Sequence, residues 1–202
     1  MSIDAISLEL GLTTDVRSGY PFRGAIEEVE AGGVLVAQMK DVDASDGVCW
    51  SGLTRTELRG RKAPDWLQGG DLLFVARGDR FFATCITTPP EPAVCGPHLL
   101  HLRVRPGSGL DPAFLAWQLN QPPLQKRLHA AAEGSSQLSI RVAEIAALQI
   151  AVPGLAQQAC IVGLSDAAQR ERRCLAQLVR NREQQLAALA AQLAESASLD
   201  IP

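Results

Sequence analysis

Leu148-Gln149-Ile150-Ala151-Val152-Pro153-Gly154-Leu155-Ala156-Gln157-Gln158-Ala159-Cys160-Ile161 is the stretch in which two kinds of sequence meet. Leu148 to Val152 reads as a brief strand that Pro153 ends. Residues 155 to about 196 then contain no proline and only one glycine, Gly163, and are rich in Ala, Leu, Gln, Glu and Arg. These are good helix formers, so a single long helix is expected. Its apolar residues recur at Ile161, Leu164, Ala168, Leu175, Val179, Leu186, Leu189 and Leu193, mostly in steps of three, four or seven, with Glu171 and Arg182 in the seam positions between them. At 1.5 Å per residue, about 42 residues make a rod of roughly 60 Å. A domain of this size cannot wrap such a rod, and the narrow stripe suits a partner helix better than a broad core-facing one; folding back onto its own domain is the competing reading.

Upstream the pattern is different. Val34–Met39, Asp71–Ala76, Phe81–Thr87 and Leu99–Val104 read as short strands, punctuated by Gly32-Gly33, Gly69-Gly70, Gly78-Asp79 and Pro89-Pro90. In the last of these strands Leu100, Leu102 and Val104 alternate with His101, Arg103 and Arg105, which predicts one core face and one basic face turned outward. Asp111-Pro112 is an N-cap followed by proline at the first helical position and opens a helix through Leu119. Pro122-Pro123 starts a second, from Leu124 to about Glu133, stopped by Gly134. Ser139 is expected to cap a third, Ile140–Ala147. The fold class is therefore α+β: a sheet-rich domain with short helices over residues 1–153, then one long C-terminal helix and tail over 154–202.

Length and composition fit this division. The chain has 202 residues, 47% hydrophobic and 20% charged, enough to bury a core and free of any apolar run long enough to span a membrane. The opening Met1-Ser2-Ile3-Asp4-Ala5 has neither the basic start nor the apolar stretch of a secretory signal, so a cytoplasmic location is expected. Cys49, Cys85, Cys95, Cys160 and Cys174 are odd in number and widely spaced, and read as reduced thiols. The net charge of -3 argues against a nucleic-acid partner, but the charge is uneven. Residues 1–50 hold three basic and nine acidic side chains, residues 51–127 ten and six, and residues 128–202 six and seven. Positive charge gathers in the middle, as on a DNA-binding face or as ordinary surface scatter.

Several segments then follow in a particular order: Gly19-Tyr20-Pro21-Phe22; Gln38-Met39-Lys40-Asp41-Val42; Leu67-Gln68-Gly69-Gly70-Asp71-Leu72-Leu73-Phe74; Arg103-Val104-Arg105; Leu110-Asp111-Pro112-Ala113-Phe114-Leu115; Gly134-Ser135-Ser136-Gln137-Leu138-Ser139; and the quoted strand, proline and helix opening. From about residue 17 to 195 the chain resembles the specificity subunit of Type I restriction-modification systems. Members of that family are usually about twice this long, with two target recognition domains, each followed by a long helix, and the two helices packed antiparallel. The resemblance thus implies a half-length form with a single target recognition domain, a coiled-coil helix and a homodimer that reads an inverted repeat with a fixed gap in double-stranded DNA. It also implies a partner DNA methyltransferase (modification) subunit and, where the system carries one, a restriction or translocase subunit. S-adenosylmethionine and any ATP would be bound by those partners, so no cofactor is expected here.

Base readout needs paired donors and acceptors held at a groove, and affinity needs cations along the backbone. The expected DNA-binding residues are Arg17, Ser18, Tyr20 and Arg23 in the first loop; Gln38 and Lys40 at a strand end; Arg55, Thr56 and Arg59, with Arg61 and Lys62, in the central basic stretch; Arg77 and Arg80 around the Gly78 turn; and Ser135, Ser136 and Gln137 before the short helix. Each arginine is equally open to being a solvated residue or half of an ion pair, for instance Arg55 or Arg59 with Glu57, or Arg80 with Asp79. His98 and His101 would lie on opposite faces of a strand, which argues against a shared metal. No constellation for catalysis is present: there is no G-x-G-x-x-G at a strand-to-helix turn, no P-loop, no G-x-S-x-G and no H-E-x-x-H. Asn120-Gln121-Pro122-Pro123 only superficially matches a methyltransferase base-binding segment. The expectation is a non-enzymatic DNA reader, with a protein-interaction adaptor assembling through its long helix as the alternative.

Overall fold

The computed structural model describes residues 4–59, 63–134 and 137–199. In chain order the elements are β1 (Ala5–Glu9), α1 (Leu10–Thr13), β2 (Thr14–Ser18), β3 (Val34–Ala37), β4 (Val42–Asp43), β5 (Gly47–Val48), β6 (Thr54–Thr56), β7 (Leu72–Val75), β8 (Phe82–Cys85), β9 (Ala93–Cys95), β10 (Leu99–Val104), α2 (Pro112–Leu119), α3 (Pro122–Ala131), α4 (Val142–Ala146), β11 (Gln149–Pro153) and α5 (Leu155–Leu199). Single 3-10 turns occupy Met39–Asp41 and Trp50–Gly52. The fold is α+β with a long C-terminal helix. The chain divides into two compact units that meet between Val162 and Gly163. No described helix is long and apolar enough to cross a membrane.

The first unit is organised around a four-stranded antiparallel sheet ordered β2-β10-β7-β8. Its central strand β7, Leu-Leu-Phe-Val, is buried at every position, as a strand covered on both faces must be. Leu72 and Phe74, with Leu100 and Leu102 of β10, pack into one core with Phe114, Leu115 and Leu119 of α2 and Leu124 and Leu128 of α3. Leu73, Val75 and Leu99 point the other way, into a second core with Leu35 and Ala37 of β3 and Ala93 and Cys95 of β9. Those strands belong to a smaller sheet, ordered β6-β3-β9, in which β3 and β9 run parallel.

This second layer overturns one expectation. The alternation along β10 is as read, but its other face is only partly turned outward: His101, on the same side as Leu99 and the second core, is 3% exposed, Arg103 is half-buried, and Arg105 is exposed. A single strand's pattern shows that two faces differ, not that one meets water. Ser139 likewise caps no helix. It bridges Arg77 and Glu133 as part of an extended segment, and α4 begins at Val142 after Arg141. Asp111 does cap α2, its Oδ1 accepting from the Phe114 N–H at 2.8 Å.

The other edge of the main sheet, β8, is closed by a side chain. The Asn120 amide accepts from the Ala83 N–H and donates to the Ala83 carbonyl, both at 2.8 Å, and so acts as one more rung of the ladder. That structural task accounts for the asparagine in Asn120-Gln121-Pro122-Pro123. At the end of β11, Gln158 is fully buried. Its Nε2 donates to the carbonyls of Gly109 and Pro153, and its Oε1 accepts from the Asp111 N–H. The first turns of α5 are tied into the core this way, and Ile161 and Val162 pack against it. Ile161, expected in the dimer seam, is thus a core-facing residue.

Candidate nucleic-acid interface

Two of the expected loops come together at one turn. The hairpin between β7 and β8 turns at Gly78, whose φ of 108° favours glycine. Its backbone is paired with the segment before α4: the Gly78 N–H donates to the Leu138 carbonyl at 3.0 Å and the Ile140 N–H to the Ala76 carbonyl at 2.9 Å. Arg77 therefore stands beside Ser139, and the exposed Gln137 directly precedes Leu138, whose carbonyl the turn engages. Arg77 Nη1 donates to His98 Nδ1 at 3.0 Å, and His98 itself holds a left-handed backbone, φ 68°. Arg80 is exposed and makes no ion pair among the described residues.

The turn Cys95–His98 connects this cluster to a second. The Tyr20 N–H donates to the Cys95 carbonyl at 2.7 Å and the Gly19 N–H to the Leu99 carbonyl at 3.1 Å. A side chain at Gly19 would overlap the Gly96 carbonyl, so the Gly19-Tyr20 loop owes its position to glycine. Beyond it a cleft of about 290 Å³ is lined by Tyr20, Phe22, Arg23, Glu27, Thr56, Glu57 and Arg59. Tyr20 and Phe22 meet edge to face with ring centroids 5.0 Å apart. Tyr20 and Thr56 are buried, the Thr56 hydroxyl donating to the Glu27 carbonyl at 2.6 Å, while Arg23 is exposed and unpaired among the described residues. Arg59 pairs with Glu27 at 3.0 Å, but both side chains are more than two-thirds exposed, so the pair is weak and exchangeable.

Most of the remaining cations are engaged within the protein. Arg17 pairs with Asp15 and Asp65, Arg55 donates to both oxygens of Glu91, Arg105 pairs with Asp15, and Arg141 with Glu133 and Glu144. The Arg55 and Arg59 partners are not Glu57, as adjacency in sequence suggested, but carboxylates brought from other segments. The strongest case is Asp71, buried at the head of β7. It accepts Arg103 Nε and Nη2 at 2.7 and 2.6 Å and the Gln68 N–H at 2.8 Å. His101 Nε2 lies 2.8 Å from its Oδ2, a contact whose angle falls outside hydrogen-bond geometry. Burial pushes the Asp71 carboxyl up, but Arg103 foremost, then His101 and Gln68, pull it down further, to about 2. Sequence reading placed Asp71 at the head of the strand Asp71–Ala76 and gave it no task. The signal it offered was a lone carboxylate directly before a wholly apolar strand.

Gln38 is committed to structure, its Nε2 donating to Thr54 Oγ1 at 2.9 Å while its backbone N–H donates to Asp41. Lys40, in the same 3-10 turn, and Ser18 are exposed. Arg61, Lys62, Ser135 and Ser136 lie outside the described residues. All five cysteines are free; burial, and secondarily Asp111 and Asp71, raises the Cys85 thiol to about 11, and burial likewise pushes the Cys95 thiol up. No group of three or more metal-ligating side chains occurs among the described residues.

What the geometry gathers is one surface, running from Arg23 and the aromatic pair through the Cys95–His98 turn to Arg77, Arg80 and Gln137. It carries the guanidinium and amide donors that phosphates and base edges accept, with Glu27, Glu57 and Asp79 among them.

No family model matches the chain and no curated protein does. Solved structures match in fold. A chain of a type I R-M system, from work on its complex assembly and conformational transition, aligns with a TM-score of 0.65 at 20% identity, over 92% of this chain and 43% of that one. The S subunit of a Type I restriction-modification system from M. genitalium aligns at 0.58 and 14%, over 88% and 42%. The HsdS subunit from Thermoanaerobacter tengcongensis aligns at 0.61 and 20%, over 85% and 39%. At these identities the likeness is one of fold, and this chain spans about two-fifths of the length of each.

Proposed function

We propose that this chain is the sequence-specific DNA recognition subunit of a Type I-like restriction-modification system, in a half-length form with one target recognition domain over residues 1–153. Residues 154–202 supply the helix through which two copies join, so that the dimer reads a bipartite, inverted-repeat site. The subunit does no chemistry; it directs a methyltransferase subunit, and a restriction or translocase subunit where one exists, to the site it reads. Those partners hold S-adenosylmethionine and ATP. The observation that carries this reading is a fold likeness over 85–92% of this chain that accounts for only about two-fifths of each matched chain.

In this reading Arg23, Lys40 and Arg80 meet phosphates, and Arg77 and Gln137, whose side chains carry paired donors or a donor with an acceptor, face base edges. A second reading, a non-catalytic adaptor that assembles through its helix, is favoured by the ion-paired arginines and by the acidic pI near 5.6. Duplex mobility shifts over a salt series, with and without the partner methyltransferase, separate the two. DNA bound in a salt-dependent manner supports recognition; no binding under either condition leaves the adaptor.

A further inference from the structure

Three successive backbone groups hold residues 66–68 in place. The Trp66 carbonyl accepts from Arg103 Nη2 at 2.7 Å, the Leu67 N–H donates to the Ala93 carbonyl at 2.9 Å, and the Gln68 N–H donates to Asp71 Oδ2 at 2.8 Å. The same Arg103 nitrogen reaches Asp71 Oδ2 at 2.6 Å, so the Trp66 carbonyl and the buried carboxylate of β7 share one guanidinium. Just upstream, Asp65 pairs with Arg17. Trp66 itself bridges Val94 and extends the smaller sheet by one rung beyond β9. An extended segment sends alternate side chains to opposite sides, and here the inward place goes to Leu67, 5% exposed in the second core. Trp66 takes the outward place at 41% exposed, and it is the one exposed Phe, Tyr or Trp among the described residues.

The side on which it emerges already carries the Tyr20 loop. Residues opposite one another across strands project to the same face, so Trp66 shares a face with Val94 and, one strand further, with Val36. Tyr20 and Phe22 pack on those two valines. Asp65, the neighbour of Trp66, lines one small crevice together with residues 18–20. Thr56, in the cleft, stands at the β6 edge of this face, Trp66 at the β9 edge, and Tyr20 over the strands between them.

We infer that Trp66 is a direct contact of the DNA reader, its indole lying against an apolar group of the duplex, and that Arg103, backed by Asp71, is the positioning residue that holds it there. This contact presupposes the recognition reading proposed above and gives it a named residue. An indole has a flat apolar surface and a single N–H, so it cannot grip a base edge with paired groups as arginine or glutamine does. A duplex can set against it the 5-methyl group of a thymine, in the major groove, or the carbon face of a deoxyribose. Exposed Ser18 and Arg23 on the same loop supply donors for the phosphates around such a contact. Tethered at three backbone points, the ring meets its partner with little left to order. The exposed part of such a side chain is roughly 60–100 Å², enough for about a tenfold effect on affinity when covered.

The probe is a duplex selected from a random pool by the full chain together with the methyltransferase of its system. Trp66→Ala should weaken binding to it about tenfold, and Trp66→Phe less, under conditions where circular dichroism shows all three chains folded. Indole emission should change on adding the duplex to the parent and not to Trp66→Phe. Deoxyuridine in place of each thymine in turn distinguishes the two groups: a loss at one position, absent in Trp66→Ala, assigns the methyl, and no such position beside an intact Trp66→Ala effect assigns the sugar. Arg103→Lys keeps the charge but not the fork, so it should weaken binding in the parent and add nothing in the Trp66→Ala chain, whereas a merely structural arginine would weaken both alike. A Trp66→Ala chain that binds as tightly as the parent, emission that changes equally in the parent and Trp66→Phe, or an Arg103→Lys loss undiminished in Trp66→Ala overturns the inference and leaves recognition standing. A parent chain that binds no duplex, with or without the methyltransferase, removes the recognition reading itself and this contact with it.

Discussion

Replacing Asp71 by asparagine removes the buried charge on which Arg103 and His101 converge. In the folded chain its carboxyl titrates at about 2, against an ordinary value of 3.8. At 1.36 kcal/mol per unit, its ionised form contributes about 2 kcal/mol to stability at neutral pH. Stranding a half-buried arginine raises the cost of the substitution to about 3–5 kcal/mol. The sign follows from the depressed value: the contribution is complete above the unfolded carboxyl's pKa near 4 and disappears as pH falls through 2. About 1 kcal/mol of it remains at pH 3. Urea denaturation of the parent and of Asp71→Asn at pH 7, 4 and 3 should show a large gap that narrows with acid. Equal stability at pH 7, or a gap that stays constant down to pH 3, would refute the account of Asp71 as the ionised hub between β7 and β10.

Changing Arg77 and Arg80 together to alanine should weaken duplex binding about tenfold in mobility shifts with little change in melting temperature, since neither residue is ion-paired with a carboxylate among the described residues. Gln158→Ala leaves the Asp111 N–H and the Gly109 and Pro153 carbonyls without their partner at a part-buried junction. Thermal unfolding should report a loss of about 2–3 kcal/mol. Gly19→Ala drives a methyl group into the Gly96 carbonyl, and should cost about 3 kcal/mol or more, seen as a lower urea midpoint.

Local chemistry in the sequence pointed to the elements whose causes are local. The Asp111-Pro112 cap, the apolar run of β7, the stop at Pro153 and the unbroken helix formers beyond it each act within a few residues, and each is found where expected, to within a residue or two. What could not be read depends on contacts far apart in sequence. His101 and Arg103 alternate with leucines as a wetted face would, and only the burial of His101 and the reach of Arg103 to Asp71 show otherwise. Arg55 finds Glu91 thirty-six residues away, and the Gly78 turn finds Leu138 sixty residues away. For the interface, residue types were legible but not their commitments. Gln38 and Thr56 have the donors and acceptors of base readers, yet spend them on Thr54 and the Glu27 carbonyl.

The pairing of six arginines with carboxylates has a consequence for how such a protein would search a genome. Adhesion to arbitrary DNA scales with the number of phosphates a protein neutralises. Under the proposed function, a reader that ties six of its nineteen Lys and Arg residues to its own carboxylates has fewer cations to offer arbitrary DNA. On that same reading its residence time would then depend more on the right bases and on whatever charge partner subunits lend.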